Sequence, residues 1–239
     1  MENMRRVLSY TRRAIDDYSM IEEGDKIAVG VSAGKDSLTL LCAMAALRRF
    51  YPKKFELIAI TIDMGFEGMD FDACKKLCEE LDVPYHVVPT EISKIIFDVR
   101  KESNPCSLCA KMRRGALHNA AKELGCTSVA LGHHFDDVVE TFMLNLFFEG
   151  RIGSFSPVTL LSKKELTLIR PFVLTEEKEI KSFVKKVSLP VEKSPCPEDK
   201  HTERENMKKL LGDFDHKHRG LYRRILGALE RSGIDGWHE

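Results

Sequence analysis

Along this chain, short runs of aliphatic and β-branched residues alternate with stretches in which apolar positions recur every three to four residues. Lys26 to Ser32 (Lys-Ile-Ala-Val-Gly-Val-Ser) predicts a buried strand and Ser37 to Phe50 a helix. Phe55 to Asp63 predicts a second strand, 71–81 a helix and Pro84 to Pro89 a third strand. A helix over 112–124, a strand over Thr127 to Gly132, a helix over Asp136 to Phe148 and a fifth strand around Leu166 to Ile169 continue the alternation. Thr175 opens a further helix, with Glu176, Glu177 and Glu179 suiting the positive end of its dipole. This pattern specifies an α/β fold: an open, mostly parallel sheet with helices on both faces. The ends differ, with a basic amphipathic helix over Met4 to Tyr18 and a strongly charged helical stretch from about Thr202 to Ser232. The expected division is a helical N-terminal extension (1–24), a central α/β domain (25–198) and a helical C-terminal extension (199–239).

Composition narrows the function classes. The 239 residues are 43% hydrophobic and 31% charged, and 37 basic residues balance 37 acidic ones, which argues against a tail-driven polyanion binder but leaves local basic patches open. The longest nearly apolar run, Leu38 to Leu47, is interrupted by Thr39 and falls far short of the roughly 20 residues that span a bilayer. The N-terminal residues hold no apolar signal region, so the expectation is a cytoplasmic protein with no membrane partner. Seven cysteines, an odd number, point away from a disulfide framework and toward reduced thiols.

Ser32-Ala33-Gly34-Lys35-Asp36-Ser37 falls where the first strand meets its helix. Backbone N–H groups and the positive helix end converge there, which makes an anion site; Lys35 adds a point charge, and Ser32 and Ser37 add hydroxyls. The plainer reading is an ordinary polar strand-to-helix turn. The first glycine and spacing of GxxxxGK[ST] are missing, so this is not the P-loop of nucleotide triphosphatases. Leu131-Gly132-His133-His134-Phe135-Asp136-Asp137 closes the fourth strand and opens a helix, so it should face the same crevice. The adjacent carboxylates of Asp136 and Asp137 could hold Mg²⁺ or handle a proton, with helix capping as the competing role for Asp136.

Cys106-Ser107-Leu108-Cys109 is a CxxC flanked by Pro105 and by Lys111, Arg113 and Arg114, and Cys196 lies between two prolines far along the chain. A redox pair, a zinc site completed by Cys196 and His201, an unmetallated pair and an iron–sulfur cluster held by three thiolates all fit the spacing, which does not separate zinc from iron–sulfur. Cys42 and Cys126 read as core, and Cys74 with Cys78, one helical turn apart, as packing or partly exposed residues.

The Ser-Ala-Gly-Lys-Asp-Ser loop resembles the SGGKDS "PP-loop" of the ATP pyrophosphatase superfamily, with Ala33 in place of a glycine. Pro-Cys-Ser-Leu-Cys-x-x-x-Arg-Arg-Gly between that loop and Gly-His-His-x-Asp-Asp, together with Ile169-Arg170-Pro171, resembles the TtcA group of tRNA 2-thiocytidine enzymes, relatives of the TtuA 2-thiouridine enzymes; the likeness runs from about Arg5 to Cys196. It implies ATP, Mg²⁺ and a 4Fe–4S cluster on Cys106, Cys109 and Cys196. It also implies ATP binding by Ser32, Ala33, Gly34, Lys35, Asp36, Ser37, Asp63, Gly132, His133 and Asp136, and catalytic roles for Lys35, Asp36, Arg113 and Asp137. Two departures stand out. A second CxxC is common near Cys196, and here its other cysteine is replaced by Asp199; the paired zinc fingers of TtuA-type enzymes are absent.

The implied reaction adenylates the C2 oxygen of an unpaired anticodon-loop cytidine and then exchanges AMP for sulfur. The implied partners are tRNA and a sulfur donor, a cysteine desulfurase or free sulfide, with a homodimer as the common assembly. Basic clusters are available at Arg5, Arg6, Arg12 and Arg13, at Arg48, Arg49, Lys53 and Lys54, at Lys111, Arg113 and Arg114, and at Lys217, Arg219, Arg223 and Arg224. Sulfur transfer to a small molecule or another nucleoside, a lysidine-type ligase and a non-catalytic nucleotide-binding module are the alternatives.

Overall fold

A computed structural model describes residues 4–100, 105–192, 196 and 203–238. Six strands, β1 (Asp25–Gly30), β2 (Phe55–Asp63), β3 (Tyr85–Pro89), β4 (Ser128–Ala130), β5 (Val158–Leu161) and β6 (Leu166–Ile169), form one sheet in the order β3-β2-β1-β4-β6-β5. All neighbours are parallel except β5, which runs antiparallel to β6. Strands β1 and β2 match their expected runs because Ile27, Ala28, Val29, Leu57, Ala59 and Ile60 are buried to 2% exposure or less, as strands covered on both faces require. The predicted β6 is found at its expected residues, whereas β5 has no counterpart in the pattern. Its Leu160 is 72% exposed, so the strand owes its place to pairing with β6 at the sheet edge and not to its own periodicity.

Helices α2 (Lys35–Arg48), α3 (Asp72–Glu80), the short α4 (Ile92–Lys94), α5 (Pro105–Glu123) and α6 (Phe135–Leu144) connect the strands, with a π-helical segment after α4 and another after α6, and α7 (Glu177–Val187) follows the last strand. Three helices lie toward the termini: α1 (Arg5–Asp17), α8 (Glu203–Lys217) and α9 (Leu221–Ser232). Helix α1 buries Val7, Thr11, Ala14 and Ile15, a spacing of three to four that forms one stripe. That stripe joins Met207, Leu211, Leu226, Leu229 and Trp237 from the other end of the chain in one continuous core with α2.

The helical stretch expected over 202–232 is found as two helices, separated at Gly220 with φ +84°, a left-handed turn that glycine adopts without strain. One expectation needs correction. The helix expected from residue 112 starts at Pro105, so Cys106 and Cys109 lie within its first turns and not in a preceding loop. Proline suits a helix start because its missing N–H is one that would go unpaired there. Among the described residues no helix is long and apolar enough to cross a membrane.

Candidate active site at the carboxyl ends of the strands

The chain leaves β1 for β2 and β3 on one side and returns to β4 on the other, so the crevice between the ends of β1 and β4 is a topological switch point. A cavity of about 470 Å³ opens there, floored by Gly30, Val31, Ser32, Leu131 and Gly132 and walled by Ile60, Ile62, Leu117 and Leu168. Asp36, Ser37, His133 and Asp137 bring polar groups to it, and Arg113, Arg114 and Arg170 bring three guanidiniums.

The phosphate loop is braced by its own serines. The Ser37 hydroxyl donates to the Gly34 carbonyl at 3.0 Å and accepts the Ser32 N–H at 3.1 Å. Ala33 sits at φ +58°, a left-handed conformation in which an L side chain carries strain. Gly34 then caps α2 in extended conformation. The Lys35 ammonium reaches Asp36 at 2.7 Å and Glu177 at 3.1 Å and is not part of the cavity wall. Burial presses it toward neutrality, but Asp36 and Glu177 outweigh burial and hold its pKa above the ordinary lysine value.

His134 caps α6. The Asp137 N–H donates to its Nδ1 at 3.3 Å, while the His134 N–H donates to the Asp137 carboxylate at 2.9 Å. Nδ1 is thus the acceptor, leaving Nε2 to carry the proton, 3.8 Å from Asp36 Oδ1. Burial raises the Asp137 carboxyl, but His134, its N–H, His133 and Arg204 together hold it below its ordinary value. Burial pushes His133 down to about 4, so it is neutral near pH 7. Burial and Arg114 bring Arg170 down to about 10, and its guanidinium lies 5.1 Å from the centre of the Phe155 ring.

Of the residues singled out from sequence, the structure gathers Ser32, Asp36, Ser37, Arg113, Gly132, His133 and Asp137 around the cavity. Ala33, Gly34 and Lys35 form the loop beside it. Asp136 faces the other way and accepts the Glu177 N–H at 2.7 Å, capping α7, so the carboxylates facing the cavity are Asp36 and Asp137. Asp63 lies outside the lining, and its carboxylate accepts the Gly65 N–H at 2.8 Å. Sequence reasoning passed over Glu177, Glu140 and Arg204 as site residues, because residues from α6, α7 and α8 meet only in the fold.

Helix α5 ties the cysteines to this cavity. Ala110, Arg113 and Arg114 line it, and Cys109 stands one turn before Arg113 on the same face. Burial raises the Cys109 thiol, Arg113 opposes this, and the charges of Cys196 and Cys106 raise it further. Cys106 is exposed, Cys109 and Cys196 are half-buried, and Cys109 contacts the Met64 sulfur at 3.6 Å. Three cysteine sulfurs are the soft donors that an iron–sulfur cluster takes, and two of them, Cys106 and Cys109, lie at the start of α5. As positioned, no three His, Cys, Asp or Glu side chains among the described residues are close enough together to hold a metal ion. His201, the fourth ligand of the zinc alternative, lies outside the described residues. Cys42, Cys74 and Cys78 are buried, which settles the last two as packing residues.

Residues 6–213 match the PP-loop domain model. The chain belongs to the PP-loop family. This PP-loop protein is 40% identical to a tRNA-cytidine(32) 2-sulfurtransferase of Geobacter sulfurreducens over 96% of its own length and 91% of that protein. It is 41% identical to the same enzyme of Geobacter metallireducens, with coverage of 94% and 89%. Among solved structures it resembles the U34-tRNA thiolase NcsA of Methanococcus maripaludis with its 4Fe-4S cluster: TM-score 0.77, 26% identity, 96% of this chain and 79% of that one. An NH3-dependent NAD synthetase of Campylobacter jejuni shares the fold alone, at 13% identity and TM-score 0.53 over 99% of this chain and 96% of that one.

Proposed function

We propose that this PP-loop protein is an ATP-dependent tRNA-cytidine(32) 2-sulfurtransferase. The observation that carries the reading is α5, whose first turns hold Cys106 and Cys109 while its next turn presents Arg113 and Arg114 to the cavity beside the phosphate loop. The relatives that bear this name span nearly the whole chain.

In the proposed reaction the phosphates of ATP lie against the N-terminal turn of α2, held by Ser32, Ser37 and Lys35. Asp36 takes the Mg²⁺, and the apolar wall of Ile60, Ile62 and Leu117 receives the adenine. The neutral C2 oxygen of an unpaired cytidine attacks the α-phosphorus and pyrophosphate leaves, giving a cationic adenylated base. Arg113 stabilises the charge on the phosphoryl oxygens. A 4Fe–4S cluster on Cys106, Cys109 and Cys196 supplies an iron with an open position for sulfide. Hydrosulfide adds at C2, its proton passes to Asp137, and AMP departs with the original oxygen. Lys111 and Arg114 make no ion pair with any described residue, which favours them as phosphate contacts for tRNA, whereas Arg12 and Arg13 are paired with Asp16 and Asp17. The proposal extends to a cytoplasmic homodimer supplied by cysteine desulfurase or free sulfide, with the division 1–24, 25–198 and 199–239.

The test is anaerobic purification with a visible spectrum and iron, sulfide and zinc analysis, followed by mass spectrometry of nucleosides from tRNA incubated with Mg–ATP and sulfide. About four irons per chain, lost in Cys106→Ala, with 2-thiocytidine formed by the wild type and not by Lys35→Ala, is the expected result. Stoichiometric zinc, or an undiminished thiolation rate in Lys35→Ala, overturns it.

A further inference from the structure

Glu177 is the first residue of α7, its side chain is 8% exposed, and three ammonium groups converge on it. Lys35 of the phosphate loop lies 3.1 Å away, Lys181 of the next turn 2.8 Å, and Lys208 of α8 3.0 Å. The Glu177 N–H is in turn held by Asp136 at the start of α6. One buried carboxylate therefore joins the loop helix α2 to α7 and α8.

A second contact repeats the pattern four residues earlier on α8. Arg204 reaches Asp137 at 3.2 Å, Glu140 at 3.5 Å and the Thr141 hydroxyl at 2.9 Å. Positions 204 and 208 are one turn apart and share a face, so α8 lays one cation on the carboxylate that holds Lys35 and one on the carboxylate facing the cavity. Helix α9 adds Arg223 on Glu176 at 2.6 Å, so both C-terminal helices grip the first turn of α7. An uncompensated carboxylate at such a buried place is costly, and Glu177 has its charge satisfied several times over; its carboxyl is held far below the ordinary glutamate range by Lys181, Lys208 and Lys35, which overcome burial.

The geometry points to Glu177 as a positioning residue of the phosphate loop: it acts through Lys35, fixing the ammonium in the loop beside the cavity, and α8 is the clasp that fixes Glu177 through Lys208. This rests on the reading of the cavity as an Mg–ATP site. A lysine side chain has three rotatable donors on a flexible stem, so its aim at a developing charge is set by what anchors it. Glu177 contributes negative charge near the phosphates and does not itself bind them. Its neutralisation should therefore spare ground-state binding of ATP and lower the rate of the adenylating step.

The experiment uses the anaerobically prepared holoenzyme and compares wild type, Glu177→Gln, Glu177→Asp, Lys35→Met and the Glu177→Gln/Lys35→Met double variant. Mg–ATP binding is titrated for stoichiometry and dissociation constant, and pyrophosphate release is then measured with tRNA, per bound ATP. Normalising to stoichiometry removes any loss of folded protein. Glu177→Gln is expected to bind Mg–ATP within about threefold of wild type while releasing pyrophosphate at least about tenfold more slowly. Glu177→Asp should recover part of the rate, and in the Lys35→Met background the Glu177→Gln change should add less than about twofold. A Glu177→Gln enzyme of wild-type rate, or rate losses that multiply in the double variant, overturns this proposal and leaves the function standing. A wild-type protein that binds no Mg–ATP, or releases no pyrophosphate with tRNA, overturns both.

Discussion

Gly132, two residues past the end of β4, lies against the backbone of Asp36 in the first turn of α2. A Cβ at 132 would stand 3.1 Å from the Asp36 carbonyl carbon and 3.2 Å from both its oxygen and the Ser37 nitrogen. The neighbours are backbone, which does not rotate out of the way as a side chain does. The glycine is thus what lets the loop after β4 and the start of α2 share one crevice.

Gly132→Ala should displace the first turn of α2. We expect a loss of about 1–3 kcal/mol in urea unfolding and weakening of Mg–ATP binding by at least about tenfold. Wild-type affinity in a folded Gly132→Ala protein would show that the helix end shifts without disturbing the site.

Ala33 occupies a left-handed conformation and is 2% exposed. Ala33→Gly relieves backbone strain but loses a buried methyl and adds unfolded-chain entropy, so the net change in stability should stay within about 1 kcal/mol. Ala33→Val, branched at Cβ and too large for the space, should cost about 3 kcal/mol or more. Denaturation curves of the two variants check the pair, and equal effects would contradict the conformation.

Glu140 is 3% exposed, and its Oε1 finds no hydrogen-bond partner among the described residues. Burial and the neighbouring Asp137 raise its carboxyl to about 7, from an ordinary value near 4.5. Between those values the folded chain binds a proton that the unfolded chain has lost, so the contribution is full below pH 4.5 and disappears as pH rises through 7. His133, lowered to about 4 by burial, runs the opposite way between about 4 and 6.5, so the wild-type profile mixes the two. The difference between Glu140→Gln and wild type isolates Glu140. It should shift by roughly 2 kcal/mol in favour of the variant from pH 5 to pH 8, and a flat difference would refute the raised value.

Burial raises the thiols of Cys42 and Cys78 to about 12 and that of Cys74 to about 11, while Cys106 is exposed. In the metal-free protein at pH 8, Ellman's reagent should react first at Cys106 and reach Cys42, Cys74 and Cys78 only after denaturation. Peptide mapping of the modified sites checks the order; early labelling of Cys74 or Cys78 would place α3 differently.

Much of this architecture was legible in the sequence, because a strand buried on both faces needs continuous apolar residues: Ile27 to Val29 and Leu57 to Ile62 announce themselves. The phosphate loop and the Gly132 to Asp137 segment were legible for a related reason. Each follows such a strand, and parallel strands deliver their carboxyl ends to one edge. The folded chain alone decided what those segments do with their side chains. Asp136 and Asp137 are neighbours in sequence, yet successive residues on a helix point about 100° apart, so one caps α7 and the other faces the cavity. Leu160 carries no periodic signal because β5 exists only through its hydrogen bonds to β6. Glu177, 142 residues from Lys35, and Lys208, 31 residues beyond it, look like ordinary helix charges until α2, α7 and α8 pack together. Local periodicity encodes elements and their order, but which charges neutralise one another depends on distances that only the packed chain sets.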